Sequence, residues 1–142
     1  MSITSFSGKY GFLSNFSPYN IDEYMEYKNI KYTSNEHFYQ AMRFEDDNIK
    51  KLISNHPSKG LKKFCRQFKI RDNWNTIRLN IMRIGLKYKF NIPRYAKKLI
   101  ETGNEELIEV NWWGDTYWGV YNGIGENNLG KLLMEIRDGL KS

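Results

Sequence analysis

The chain has 142 residues, 40% of them hydrophobic and 27% charged, a balance that builds one core and excludes a disordered chain. Its formal charge of +6 favours anionic partners: nucleic acid, nucleotides or phosphorylated sugars. Cys65 is the only cysteine, which excludes an internal disulfide and points to a reducing compartment, the cytoplasm.

In chain order, Ile3 to Phe6 is predicted as a short strand, broken by Ser7-Gly8 and Tyr10-Gly11, and Phe12 to Pro18 as an ordered loop. The opening Met1-Ser2-Ile3-Thr4 lacks a basic patch followed by an apolar core, so no signal peptide is expected. Tyr27 to Tyr32 reads as a second extended piece. A helix begins at Thr33 or Ser34 and runs to about Phe44, with Thr33 and Glu36 spaced as a capping box. A short helix follows near Asn48 to Ser54. Pro57 suits the first turn of the next, which carries Leu61, Phe64, Cys65 and Phe68. The basic run from Lys59 to Arg71 shares that helical rhythm and reads as a solvated face rather than a nucleic-acid stripe.

Asp72 is the predicted N-cap of a long helix from Trp74 to about Phe90. That helix has two apolar stripes: Trp74, Ile77, Ile81, Ile84, Tyr88, and Leu79, Met82, Leu86, Phe90. Two stripes predict neighbours on more than one side, hence a central helix. Pro93 starts another helix, which ends at Thr102-Gly103. Leu107 to Val110 is a candidate strand, and the last helix starts near Asn127 or Asn128 and is expected to bury Leu129, Leu132, Leu133, Ile136 and Leu140, spaced three and four apart. No apolar run reaches membrane-spanning length, so no membrane partner is expected. The fold expected is mainly α (α+β), a single domain over residues 1–142 with about six helices and two to four short strands. The strands do not alternate with helices, which argues against a doubly wound sheet.

The richest segment chemically is Trp113-Gly114-Asp115-Thr116-Tyr117-Trp118-Gly119, followed by Gly123 to Gly130. Aromatic rings beside glycine and a carboxylate suit a flat, polar ligand. Gly123-x-Gly125 lacks the third glycine of a dinucleotide loop; it reads either as a loop capping the last helix or as an anion site at that helix start. Asp115 reads either as a turn residue or as a ligand-binding carboxylate. Glu36 has two readings as well. It is either the carboxylate of a capping box, or a pocket carboxylate with Gln40 and Arg43 on later turns of its face. Ser14-Asn15 lies between aromatics, with Lys9 upstream, and reads as a local turn or a pocket element. Cys65 among apolar neighbours reads as packing. One cysteine with His37 and His56 makes no convincing zinc site, and no metal or other cofactor is expected.

Together these pieces resemble the YbiA-like, or NADAR-domain, family. The matching elements are Gly11 to Phe16, Ser34 to Ala41 with Phe44, Arg71 to Trp74 with Arg78 and Met82, and Lys89-Phe90. Leu99 to Gly103, Leu107-Ile108-Glu109, Trp113 to Gly119, and Gly125 to Met134 with Arg137 follow in the family's order. The resemblance implies a compact, mainly helical fold that cleaves an N-glycosidic bond to ribose. The substrate it implies is a phosphoribosylamino-pyrimidine of riboflavin synthesis, or ADP-ribose on guanine, possibly within nucleic acid. Carried over by position, Glu36 is the catalytic carboxylate and Asp115 a second one. Ser14, Asn15, Phe16, Gln40, Arg43, Trp113, Trp118, Gly119 and Asn127 are substrate-binding candidates. Arg43 stands where many relatives have lysine; arginine can replace a phosphate ligand but not a neutral amine. Two other readings stand beside this one: a non-catalytic ADP-ribose or nucleotide binder, and a basic nucleic-acid-binding protein. The sequence does not fix the oligomeric state.

Overall fold

The computed structural model describes residues 1–20 and 23–142. Among these are six α-helices, one 3-10 helix and four short strands, the mainly helical architecture expected. They group into two units, Met1–Ser14 with Leu86–Ser142, and Asn15–Gly85.

In the first unit, β1 (Ser2–Ile3) pairs in parallel with β4 (Glu106–Leu107), Ile3 opposite Leu107. The strand expected over Ile3–Phe6 is thus shorter and shifted, because pairing ends where the chain turns into a 3-10 helix at Gly8–Leu13. That helix replaces part of the predicted loop and buries Phe12 and Leu13. α5 (Pro93–Glu101) opens on Pro93, whose missing N–H costs nothing there, and stops before Gly103 at φ +66. α6 (Asn128–Lys141) packs on α5 and β4. It buries Leu129, Leu132, Leu133 and Ile136 of the three-and-four spacing read from the sequence, while Leu140, in its last turn, is only half-buried. Val110 does not extend β4; it forms an isolated bridge with Val120 that closes the aromatic, glycine-rich loop.

In the second unit, Tyr27–Tyr32 is not one extended piece. β2 (Met25–Tyr27) folds back on β3 (Ile30–Tyr32) through Lys28 and Asn29, both at positive φ, +48 and +69. That two-residue turn matches the twist of an antiparallel hairpin. α1 (Asn35–Met42) packs on α2 (Asp47–Ser54), which Asp46 caps through Asn48 N–H at 2.7 Å. α3 (Leu61–Cys65) begins after Gly60 at φ +75, so Pro57 lies ahead of the helix rather than in its first turn. α4 (Trp74–Lys89) begins one residue later than a cap at Asp72 requires: Asn73 precedes it, its carbonyl accepting Ile77 N–H at 3.2 Å. Of the two α4 stripes, Met82, Leu86 and Phe90 are buried. Ile77, Ile81 and Ile84 are half-buried and Tyr88 is 40% exposed. The isoleucine stripe therefore lacks the full cover expected of a central helix.

Candidate active site

The start of α1 decides the role of Glu36. The predicted capping box, Thr33 with Glu36, does not form. Ser34 is the N-cap instead, its Oγ accepting His37 N–H at 3.1 Å. Ser34 Oγ also lies 2.6 Å from His37 Nδ1, and His37 Nε2 lies 2.7 Å from the His56 carbonyl. A carbonyl only accepts, so Nε2 carries the proton and Nδ1 accepts from the Ser34 hydroxyl. Burial lowers the His37 pKa and keeps the ring neutral, as this tautomer needs.

The cap is supplied by Ser34, and the Glu36 carboxylate bonds along its own helix face. Gln40 Nε2 donates to Glu36 Oε2 at 2.7 Å, and Arg43 Nη1 donates to Gln40 Oε1 at 2.6 Å. The spacing i, i+4, i+7 puts the three on one face. The amide carries the polarisation of the guanidinium to the carboxylate, in a site where Glu36 and Gln40 are both only 5% exposed. The backbone is fixed too: Glu36 N–H donates to the Asn15 carbonyl at 2.9 Å. Asn15 Oδ1 in turn accepts Asn35 Nδ2 at 2.9 Å. Asn35 is fully buried and fits only because Gly85 opposite has no side chain; a Cβ there collides with Asn35 Oδ1. Phe16 is half-buried, and the Lys62 ammonium stands 5.5 Å from its ring centroid. Cys65 is buried as expected; desolvation, opposed by Arg43 and reinforced by Glu36, pushes its thiol up to about 11. It is a packing residue and not a nucleophile.

Ser14, Trp113, Asp115, Trp118, Gly119 and Asn127 all belong to the first unit. Asp115 Oδ1 accepts Tyr117 and Trp118 N–H at 3.0 and 2.8 Å, while the Asn111 side chain brackets the Asp115 backbone at 2.8 and 3.0 Å. One carboxylate oxygen is thus committed to the turn. Gly119 is required sterically, since a Cβ would meet the Glu109 carbonyl and carboxylate and the Asn111 amide. Asn127, left-handed at φ 53, joins two segments: its Oδ1 accepts Glu109 N–H at 3.0 Å and its Nδ2 donates to the Leu107 carbonyl at 2.9 Å. The N–H groups of Asn127, Asn128 and Leu129 donate to the carbonyls of Gly119, Tyr117 and Trp118. These three donors close the loop onto the start of α6, the arrangement of the first of the two readings of this segment. Trp113 is 52% exposed, and Trp118 packs edge-on to Tyr117 with centroids 4.8 Å apart. Lys9 lines a first-unit cavity of about 470 Å³, its ammonium 5.3 Å from the Tyr10 ring centroid.

Lys89 was legible only as a motif residue. It is fully buried, and its Nζ donates to the Ser14 carbonyl at 2.8 Å. The ammonium sits 4.9 and 5.3 Å from the ring centroids of Tyr95 and Phe90. Burial, assisted by the Arg94 charge, brings its pKa down to about 7. Asn35 and Lys62, the neighbours of Asn15 and Phe16, carry no signal of that placement in the sequence. Asn35 stands beside Glu36 in sequence, but nothing local shows that Asn15 is its partner; Lys62 was absorbed into the solvated basic run.

The sequence profile of the NADAR domain matches residues 4–141. The chain belongs to the NADAR domain family. It is 33% identical over 142 residues to an N-glycosidase of Nostoc punctiforme, covering 94% of this chain and 87% of that protein. It is 31% identical over 141 residues to N-glycosidase YbiA of Escherichia coli, covering 96% and 85%. A riboflavin biosynthesis protein of Vibrio vulnificus is 33% identical over 93% of this chain, which spans only 36% of that relative's length. The NMR structure of Escherichia coli YbiA superposes with a TM-score of 0.81 at 29% identity, covering 99% of this chain and 84% of that one. No helix among the described residues is long and apolar enough to cross a membrane.

Proposed function

We propose that this chain is an N-glycosidase that hydrolyses the C1–N bond of a phosphorylated N-riboside, with Glu36 as its catalytic carboxylate. The observation that carries this reading is the hydrogen-bonded row Glu36–Gln40–Arg43 on a helix whose cap is supplied by Ser34. This carboxylate accepts from a side chain that is itself polarised by a cation. The C1–N bond breaks with its electron pair passing to nitrogen, which takes up a proton. Glu36 opposes the positive charge that develops at C1, and accepts a proton from the water that adds there. Asn15 and Phe16 are proposed as substrate residues beside it, and Arg43 as a phosphate ligand. In the first unit, Trp113 and Trp118 are proposed as stacking surfaces for a base. They sit on a loop shaped by Gly119 and Asn127, with the second oxygen of Asp115 offered to ribose hydroxyls.

Two substrates fit this chemistry: a phosphoribosylamino-pyrimidine, which the name of the Vibrio relative supports, and ADP-ribosylated guanine. The test is chromatographic detection of released ribose phosphate or ADP-ribose from each, with wild type and Glu36→Gln. Release by wild type and a loss of about 100-fold or more in kcat for the variant support the assignment. A folded Glu36→Gln protein with full activity refutes it, and binding without release by wild type makes the chain a binder instead.

A further inference from the structure

The half-covered stripe of α4 has a use of its own. Ile77, Ile81 and Ile84 form one side of a cavity of about 370 Å³ in the second unit, walled by Tyr27 and Tyr32, a volume in the range of small-molecule sites. The rim is basic. Lys50 and Arg71 line it with side chains only 15% and 23% exposed, yet their acidic partners Asp47 and Glu45 are 79% and 72% exposed. The ion pairs are loose, at 3.4 and 3.9 Å. Asp47 lines the cavity too, with its side chain largely exposed, whereas Glu45 does not line it, so the two half-buried cations face one carboxylate there. Lys28, held at positive φ in the hairpin turn, adds a third cation.

Tyr32 supplies an independent observation. It is fully buried, lines the cavity, and its hydroxyl has no hydrogen-bond partner among the described residues. A buried hydroxyl left without a partner costs about 1–3 kcal/mol, so the position favours a guest that accepts from it. Burial, with the charge of Asp47 and then Tyr27, raises its pKa and keeps it a donor. The cavity is also separate from the Glu36 row. Met42 is the α1 residue that lines it, and it projects roughly 100–120° around the helix from Glu36 and Arg43.

We propose that this cavity is a second ligand site, for a small planar aromatic anion. The ring lies on Ile77, Ile81 and Ile84 between the two tyrosines, its anionic group meets Lys50 and Arg71, and an acceptor on it takes the Tyr32 hydroxyl. The proposal does not depend on the glycosidase reading.

The probe is 1-anilinonaphthalene-8-sulfonate, titrated by fluorescence into the full chain and followed to saturation. One-to-one binding is expected. Ile81→Glu and Lys50→Glu each weaken it at least about tenfold at low salt, since each sets a negative charge against the anion. Tyr32→Phe weakens it about threefold to tenfold, the worth of one hydrogen bond, yet leaves the free protein's melting temperature unchanged or higher because the orphaned hydroxyl is gone. Glu36→Gln binds as wild type, whatever its catalytic activity. Should Ile81→Glu fail to fold, Lys50→Glu and Tyr32→Phe decide. Absence of saturable binding, or binding that folded Lys50→Glu and Tyr32→Phe leave untouched, overturns the site.

Discussion

Lys89 allows a test in which sign and size both follow from burial. In the unfolded chain its ammonium titrates near the ordinary 10.5; in the folded protein near 7. Between these values the unfolded state binds more protons than the native one, so stability rises with pH through that window. The full difference is worth roughly 5 kcal/mol, at about 1.4 kcal/mol per pH step. It is absent as a penalty above pH 10.5, and present in full below 7, where the native protein carries the buried charge. The perturbation is Lys89→Met, which keeps the bulk and removes the titration. Urea unfolding of both proteins between pH 6 and 9.5 covers most of the window. Wild-type stability is expected to climb relative to the variant by about 3 kcal/mol across it. Loss of the hydrogen bond to the Ser14 carbonyl shifts the variant's curve as a whole but not its slope relative to wild type. Two curves that run parallel would refute the assignment of a buried, proton-losing lysine.

Asn127→Ala removes two hydrogen bonds to backbone groups at Glu109 and Leu107 and places alanine at φ 53; a loss of about 2–4 kcal/mol is expected in chemical denaturation. Gly85→Ala forces a Cβ onto the Asn35 amide, and a shift of Asn35 is expected to reduce kcat with Glu36 untouched, beside a destabilisation of about 1–3 kcal/mol. Ser34→Ala should cost about 1 kcal/mol as a lost cap, measured by thermal melting; a neutral result would mean that His37 does not rely on it.

The helical elements were legible because their signals are local. Pro93 and Gly103 bracket α5, and the three-and-four spacing of Leu129, Leu132, Leu133 and Ile136 defines α6. One failure is local, and the others involve partners remote in sequence. Nothing between Tyr27 and Tyr32 marks a reversal except Lys28-Asn29, a pair less obvious than Asn-Gly. The aromatic loop advertised a pocket, yet Asp115 and Asn127 also carry backbone duties that only three-dimensional neighbours reveal. The isoleucine stripe of α4 looked like core because apolar spacing reports which residues share a face, not whether anything covers that face.

Glu36 shows most sharply where such reading stops. Thr33 and Ser34 are both good caps, and each defines a different register for the helix that follows. A cap at Thr33 makes Glu36 the third helical residue, in reach of the backbone and spent on it. A cap at Ser34 makes Glu36 the second helical residue, out of the capping-box position, while the i, i+4, i+7 spacing keeps it on one face with Gln40 and Arg43 in either register. The choice rests on His37, which takes the Ser34 hydroxyl on one nitrogen and reaches the His56 carbonyl with the other. His56 lies nineteen residues further along the chain, so no local pattern announces it. A neutral His37→Asn variant retains one ring-like donor or acceptor position but not both. It should therefore loosen the Ser34 cap and lower kcat more than it raises KM, because the Glu36 row is disordered while the remaining substrate contacts persist. An unchanged kcat in a folded His37→Asn protein would show that the register of α1 is set without it.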